Sequence, residues 1–260
     1  MKYFHSNTEY LPTLQFFLTG MVLAGFIDLF VHPVLWGYYA GGFLLSYLVY
    51  FLTGCVGVTT TFHRFLSHKA FEYRWGWMVY PCCILGALGG TGSPIGWTWM
   101  HRRHHRFSDT PDDPHSPVHH GLGVLFGSYV GKFNKFEVRD LITSHFHRFV
   151  HEYYYLILLA WACLLGALGG FYLLFFGMIV PMTIQIWVSN ISNYFNHSGT
   201  TGTRPYETGD NSHNVPWLSW ITWGEGGGHN YHHYHPWSWK FSNQWWKDPS
   251  SVVIQVLAKP

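Results

Sequence analysis

Charge is scarce in this chain. Asp, Glu, Lys and Arg make up 11% of its 260 residues, against roughly a quarter in an ordinary soluble domain. A conventional soluble surface over most of the molecule is therefore excluded. Cysteine is scarce as well: Cys55, Cys82, Cys83 and Cys163 lie in apolar stretches without metal-type spacing, so they read as reduced packing residues rather than a disulfide framework. The net charge is only +2, and no basic stripe or nucleic-acid motif is present, which excludes a nucleic-acid partner. The opening residues MKYFHSNTEYLP carry Glu9 and Pro12 and no small-residue cleavage site. They lack the layout of a signal peptide.

Aromatics and histidines fill that space. Phe, Trp and Tyr reach 20% and there are 19 histidines, while the mean hydropathy stays near zero at +0.04. Such an average implies very apolar stretches balanced by a polar part. Within the polar part, WMHRRHH places His101, His104 and His105 at i, i+3 and i+4, one face of a helix. His229, His232 and His233 in HNYHH repeat that spacing, and His63 and His68 stand upstream in HRFLSH. Each neutral imidazole offers one lone pair to a metal. His63 and His68, at i and i+5, would stand roughly 140° apart on an α-helix, so the helix must end or loosen between them.

Four apolar runs approach the ~20 residues that cross a bilayer: residues 14–31, 34–56, 155–176 and 178–195, the last two parting near Gly169 to Tyr172 or slightly later. A short turn at His32-Pro33 makes the first two an antiparallel hairpin. Asp28, the one charge in the first run, reads as an interfacial carboxylate. Residues 77–97, rich in Gly and Pro, read as an in-plane or re-entrant element. A crossing there would put His63 and His68 on the opposite face from His101 to His105. Residues 61–154 and 198–260 then form one cap. All 15 Lys and Arg lie in the cap or the N-terminal tail, which makes the histidine face cytoplasmic. The expected fold is an all-α integral membrane protein: one domain over residues 1–260, four spans in two hairpins, and a cytoplasmic His-rich cap holding a di-metal centre.

Asn193 and His197 in NYFNH, at i and i+4 at the end of the fourth span, point toward the same cap. With His197 the set counts nine histidines, more than one octahedral ion accepts. Two metals follow, and a redox metal with exchangeable positions selects iron over a closed, Cys-rich structural zinc. His115, His119, His120, His145, His147, His151, His213 and His235 read as surface or capping residues.

Together HRFLSH, HRRHHRFSDTPDDPHS, NYFNH and GEGGGHNYHH, in this order and across this hairpin topology, resemble the membrane fatty acid desaturases of the acyl-CoA and acyl-lipid Δ9 type, stearoyl-CoA desaturase among them. The resemblance covers nearly the whole chain. It implies a non-haem centre of two Fe that uses O2 to remove two hydrogens from adjacent methylenes of a saturated acyl chain, leaving a cis double bond. It makes His63, His68, His101, His104, His105, His197, His229, His232 and His233 the ligands, with Asn193 acting through a bound water; zinc can replace iron in purified protein. Asp113 and Glu225 match the family pattern and would steady ligand imidazoles. Asp109 and Asp112 divide between that role and turn chemistry in SDTPDDP. Arg102, Arg103 and Arg106 can meet an acidic substrate head group or lipid.

The third box is one residue longer than the usual animal form, FGSYVGKF stands where the family usually has His-x-Gly-Trp, and no HPGG haem motif of a fused cytochrome b5 occurs. The implied partners are a fatty acyl thioester or acyl lipid, membrane lipid, and a separate electron donor, either ferredoxin or cytochrome b5 with its reductase. An apolar tunnel lined by aromatics would hold the chain. Two other readings stand beside this one. One is a related di-iron hydroxylase or ketolase on another lipid; the other is a non-catalytic metal-binding membrane protein, whose ligands would lie at mid-membrane depth.

Overall fold

The computed structural model describes residues 9–32 and 36–260, so the turn assigned to His32-Pro33 falls mostly outside it. Among the described residues the chain is mostly helical, with two isolated β-bridges, Tyr73 to Ala258 and Thr203 to Asn214, and no strand. Three helical stretches are long and apolar enough to cross a membrane: Leu11–Val31, Gly37–Ser67 and Tyr154–His197. Helix α1 (Leu11–Val31) carries Pro12 in its first turn, where the missing N–H costs no bond. At 1.5 Å per residue it is about 30 Å long, the thickness of a hydrocarbon core. Phe16, Phe17, Ile27 and Phe30 remain exposed on it. Polar pins hold its other face. Gln15 Nε2 donates to the Leu125 carbonyl (3.0 Å), Asn190 Nδ2 to Gln15 Oε1 (2.9 Å) and Trp187 Nε1 to Thr19 Oγ1 (2.9 Å). At the far end Asp28 accepts from Tyr39 (2.6 Å) and meets His32 (3.0 Å), tying α1 to the next helix.

Helix α2 runs as α-helix over Trp36–Tyr50 and continues without a stop as a π-helix over Phe51–Ser67. The sequence required the helix to end or loosen between His63 and His68; it loosens. Residues i and i+5 are hydrogen-bonded neighbours in a π-helix, as in His68 N to His63 O (3.2 Å). Thr61 Oγ1 and Ser67 Oγ also bond back five residues, to Val56 O and Phe62 O (both 2.7 Å). The two imidazoles consequently meet at 4.9 Å between ring centroids.

Helix α3 (Val79–Leu88) spans ten residues, about 15 Å and too short to cross. It packs on α2 where Gly57 faces the Gly86 backbone with no room for a Cβ. Gly90 and Gly92 take positive φ in the following loop, and the chain enters α4 (Pro94–Phe107). Ser93 Oγ caps α4 by accepting from Gly96 N (3.1 Å), with Pro94 at the first position. The element therefore returns His101 to within 2.8 Å of His68.

A short helix α5 (His145–Glu152) packs beside this loop, His151 Nδ1 meeting Ser93 Oγ at 2.6 Å. Helix α6 (Tyr154–Leu174) breaks at Gly169 and Gly170, where Gly170 adopts φ +58°. Beyond the break a π turn, Phe175–Ile179, leads into α7 (Val180–His197). Leu165 lies against Gly177, where an added Cβ would come within 3.3 Å of it. Twelve residues of straight helix would hold those positions about 18 Å apart, so the chain reverses at the two glycines rather than at residue 177. The core joins α2, α3, α4, α6 and α7 through Phe62, Cys83, Ile95, Met100, Tyr154 and Ile186. Cys55, Cys82 and Cys83 are buried as packing residues, whereas Cys163 is exposed on α6. The chain closes with α8 (His229–Tyr234) and α9 (Pro249–Leu257).

Candidate metal centre

Four elements deliver imidazoles to one place. The end of α2 brings His63 and His68, α4 brings His101, His104 and His105, the end of α7 brings His197, and α8 brings His229, His232 and His233. They sort into two groups of ring nitrogens, each within 4.8 Å of one another: His63, His68, His101, His105 and His232 in one, His104, His197, His229 and His233 in the other. Nε2 atoms face each other at 3.0 Å for His63 and His232, 2.9 Å for His232 and His105, 2.8 Å for His68 and His101, and 2.8 Å for His197 and His229. Adjacent positions on α4 belong to different groups, and His105 stacks on His233 at 4.4 Å, so the groups are neighbours.

Converging nitrogens at this spacing must be lone pairs directed at a cation or pairs sharing a proton. Burial, followed by repulsion from neighbouring imidazoles, holds His68, His101, His105, His229 and His232 well below the usual histidine range. His233 is lowered to about 4 by burial, although Asp210 pulls upward. Neutral rings keep the lone pair that a metal needs. His233 Nε2 is buried and has no hydrogen-bond partner, so the donor set fits metal ions.

Carboxylates hold the remote nitrogens. His63 Nδ1 pairs with Glu225 Oε2 (2.7 Å), His104 Nδ1 with Asp113 Oδ2 (2.9 Å), His197 Nδ1 with Asp109 Oδ2 (2.8 Å) and His233 Nδ1 with Asp210 Oδ2 (2.7 Å). Each bond places the proton on Nδ1 and turns Nε2 inward. Burial would raise Asp109, but the His197 contact outweighs it and brings the carboxyl down to about 2. Asp113 and Asp210 fall below their ordinary range in the same way, through His104 and His233. His104 itself is raised, because Asp113 overcomes the opposing effect of burial.

Sequence reasoning missed several participants. Asp210 lies in a loop 23 residues before its histidine. Arg64 is fully buried between Glu225 (3.0 Å) and Asp248 (2.8 Å) and also donates to the Trp239 carbonyl (2.7 Å). Asp248 in turn caps α9 through Ser251 N (3.3 Å), so the last helix is fastened to the ring of carboxylates. His115, His147 and His151, expected at the surface or at caps, are buried. His115 stacks on His104 at 4.3 Å and is lowered to about 3 by burial and then by His104.

Arg102 and Arg103 of α4 are engaged with protein. Arg102 pairs with Asp140 (2.8 Å) and donates to the Leu66 carbonyl (2.6 Å); Arg103 meets Asp112 (3.4 Å) and Glu137 (3.3 Å). Arg106 is exposed, its guanidinium 5.1 Å from the Phe107 ring centre.

A cavity opens beside the histidines, bordered by His63, His101, His115 and His229 and by Tyr50, Gln185 and Trp223, which gather around Gly54. Val58, Trp97, Met100, Tyr129 and Val188 also line it, with Thr59, Thr91, Ser189, Ser192 and Thr222 among them. Asn193 faces it too and donates through Nδ2 to the Tyr129 hydroxyl (3.0 Å).

The profile of the family described as Fatty acid desaturase matches residues 35–246. The chain is 36% identical over 156 residues to the palmitoyl-monogalactosyldiacylglycerol delta-7 desaturase, chloroplastic, of Arabidopsis thaliana, covering 57% of this chain and 41% of that protein. It is 31% identical over 180 residues to the sn-1 stearoyl-lipid 9-desaturase of Synechocystis, covering 65% and 54%. To Delta-9 acyl-lipid desaturase 2 of Arabidopsis thaliana it is 32% identical over 163 residues, covering 60% and 53%. The chain spans about half the length of these curated relatives. The conclusion from histidine spacing, helical framework and profile alike is that the chain belongs to the fatty acid desaturase family.

Proposed function

We propose that the protein is an O2-dependent acyl desaturase that introduces a cis double bond, at Δ9, into a saturated acyl chain. The observation that carries this reading is the pair of adjoining histidine groups beside one cavity. The nine histidines are the proposed ligands of two irons, with zinc as a replacement in purified protein, and Asn193 completes the set through water. Bound there, iron would supply the O2 activation and electron transfer that breaking an unactivated C–H bond requires.

The chain's own residues do the rest. Glu225, Asp113, Asp109 and Asp210 fix the tautomer and aim of four imidazoles. The cavity holds one pair of methylenes beside His63, His101 and His229 and turns the remainder of the acyl chain toward Tyr50 and Trp223. Relatives named for acyl-lipid and acyl-CoA substrates favour a glycerolipid or thioester carrier.

The break at Gly169 and Gly170 supports four crossings in two hairpins, and the placement of all 15 Lys and Arg supports a cytoplasmic cap. Electrons would come from ferredoxin or from cytochrome b5 with its reductase. Fatty-acid methyl ester analysis of a desaturase-deficient host expressing the chain tests the proposal. A new monounsaturated acid that vanishes with His104→Ala is expected, and its bond position reads the regiochemistry. A hydroxylated product instead would establish the related hydroxylase chemistry. Purified protein that takes up zinc and never iron would overturn the enzyme reading.

A further inference from the structure

The segment between the last crossing and α8 carries no Asp, Glu, Lys or Arg from residue 211 to residue 224. It projects Trp220 (56% exposed) and Ile221 (38% exposed) outward. Its depth can be read from α2. The Tyr50 hydroxyl donates to the Ile221 carbonyl, and the Trp223 ring packs on Tyr50 (5.1 Å) and Phe51 (5.4 Å). Tyr50 stands 13 residues from Gly37, about 20 Å along the α-helical part of α2, inside a hydrocarbon layer ~30 Å thick. Helical side chains lean toward the N-terminus, so Ile221 lies no nearer the histidine face than Tyr50 does. The adjoining surface of α2 exposes Tyr47, Leu48 and Leu52, so the apolar surface is continuous from helix to loop.

Four backbone N–H groups of this segment are paired within it. Leu218 N bonds to Val215 O (3.0 Å), Ser219 N to Pro216 O (3.1 Å), Thr222 N to Leu218 O (3.0 Å) and Gly224 N to Ser219 O (2.8 Å). Pro216 has no N–H to satisfy. Non-helical backbone is tolerated at membrane depth where it is buried in protein or lines a cavity, and this segment lines the cavity through Thr222 and Trp223.

From this we propose that residues 215–224 form a re-entrant wedge seated in the acyl region of the leaflet beside the cap, with Trp220 and Ile221 against phospholipid chains. The wedge rests on the reading of α2 as a membrane crossing. Its opposite face, Thr222 and Trp223, walls the cavity, so one short segment separates the leaflet from the site.

Nitroxide labelling of the full chain in palmitoyl-oleoyl-phosphatidylcholine nanodiscs tests this. Cys163→Ser removes the exposed thiol, while Cys55, Cys82 and Cys83 are buried. Labels go on Ile221→Cys, with Leu48→Cys as the lipid reference and Thr200→Cys as the water reference; Trp220→Cys replaces the first if it fails to fold. Power saturation then compares access to O2 and to a nickel chelate. The expected O2-to-nickel ratio at 221 matches that at 48 and exceeds that at 200 severalfold. Nickel access at 221 equal to that at 200, with 48 protected, would overturn the wedge alone. Nickel access at both 221 and 48 would overturn the crossing as well.

Discussion

Replacing Asp210 by Asn separates the electrostatic role of this carboxylate from its architectural one. Asp210 divides its oxygens: Oδ1 accepts from Thr208 Oγ1 (2.7 Å) and Ser212 N (2.9 Å), and Oδ2 accepts from His233 Nδ1 (2.7 Å). An asparagine that keeps the two loop bonds must retain its oxygen at the first position. Its amide nitrogen then faces His233. Two N–H groups cannot face each other, so the imidazole proton moves to Nε2, the atom that points into the four-histidine group.

A protonated Nε2 offers no lone pair. Loss of such an outer partner ordinarily lowers metal affinity 10- to 100-fold, or about 1.4–2.7 kcal/mol. The loop itself should hold, because its hydrogen bonds remain. The assay is metal content by plasma mass spectrometry after dialysis against graded chelator, with circular dichroism as the folding control. Asp210→Asn should release one metal equivalent at roughly 10- to 100-fold lower chelator strength, Thr208→Ala should not, and His233→Ala should lose that equivalent outright. Wild-type retention in Asp210→Asn, alongside loss in His233→Ala, would refute the tautomer argument.

Chelator-stripped protein should be acid-labile. His68, His101, His105, His229, His232 and His233 all have folded pKa values below the ordinary 6.5, so below about pH 6.5 the unfolded chain binds more protons and stability falls as pH drops. Each can contribute up to about 1.4 kcal/mol per pH unit. Thermal midpoints in detergent from pH 8 to 5 read this, and a flat profile would contradict it. Asp248→Ala strips the fully buried Arg64 of one of its two carboxylates. A cost toward the lower end of the ~3–5 kcal/mol for breaking a buried pair is expected as a lowered midpoint, and an unchanged midpoint would show that Glu225 suffices. Gly57→Ala forces α2 and α3 apart and should cost about 1–3 kcal/mol. Gly20→Ala, with open space around its α-carbon, should be neutral or mildly stabilising; equal effects at both positions would argue against the close approach.

What could be read from the chain and what could not divide along a physical line. His101, His104 and His105 were legible because a helix converts their spacing directly into a shared face, and the same holds for His229, His232 and His233. His63 and His68 resisted, since their spacing is wrong for an α-helix; it becomes right only after α2 is wound as a π-helix over Phe51–Ser67, a rare winding that period-counting does not anticipate. The reversal at Gly169 and Gly170 lies at the near edge of the range read from the sequence and before the bound at 177; a glycine pair alone does not mark a turn, since Gly41 and Gly42 stay inside α2.

Asp210, Asp248 and the burial of Arg64 and His115 belong to a different kind of information. They depend on which loop returns to which helix end, with Arg64 and Asp248 184 residues apart. One signal was nonetheless available. A histidine that presents Nε2 must dispose of the proton on Nδ1, so a cluster of nine called for several acceptors. Asp109, Asp113 and Glu225 supply three, for His197, His104 and His63. The HNYHH box still lacked one, and the Asp in the polar loop before that box is Asp210. Chemistry, rather than periodicity, would have found it.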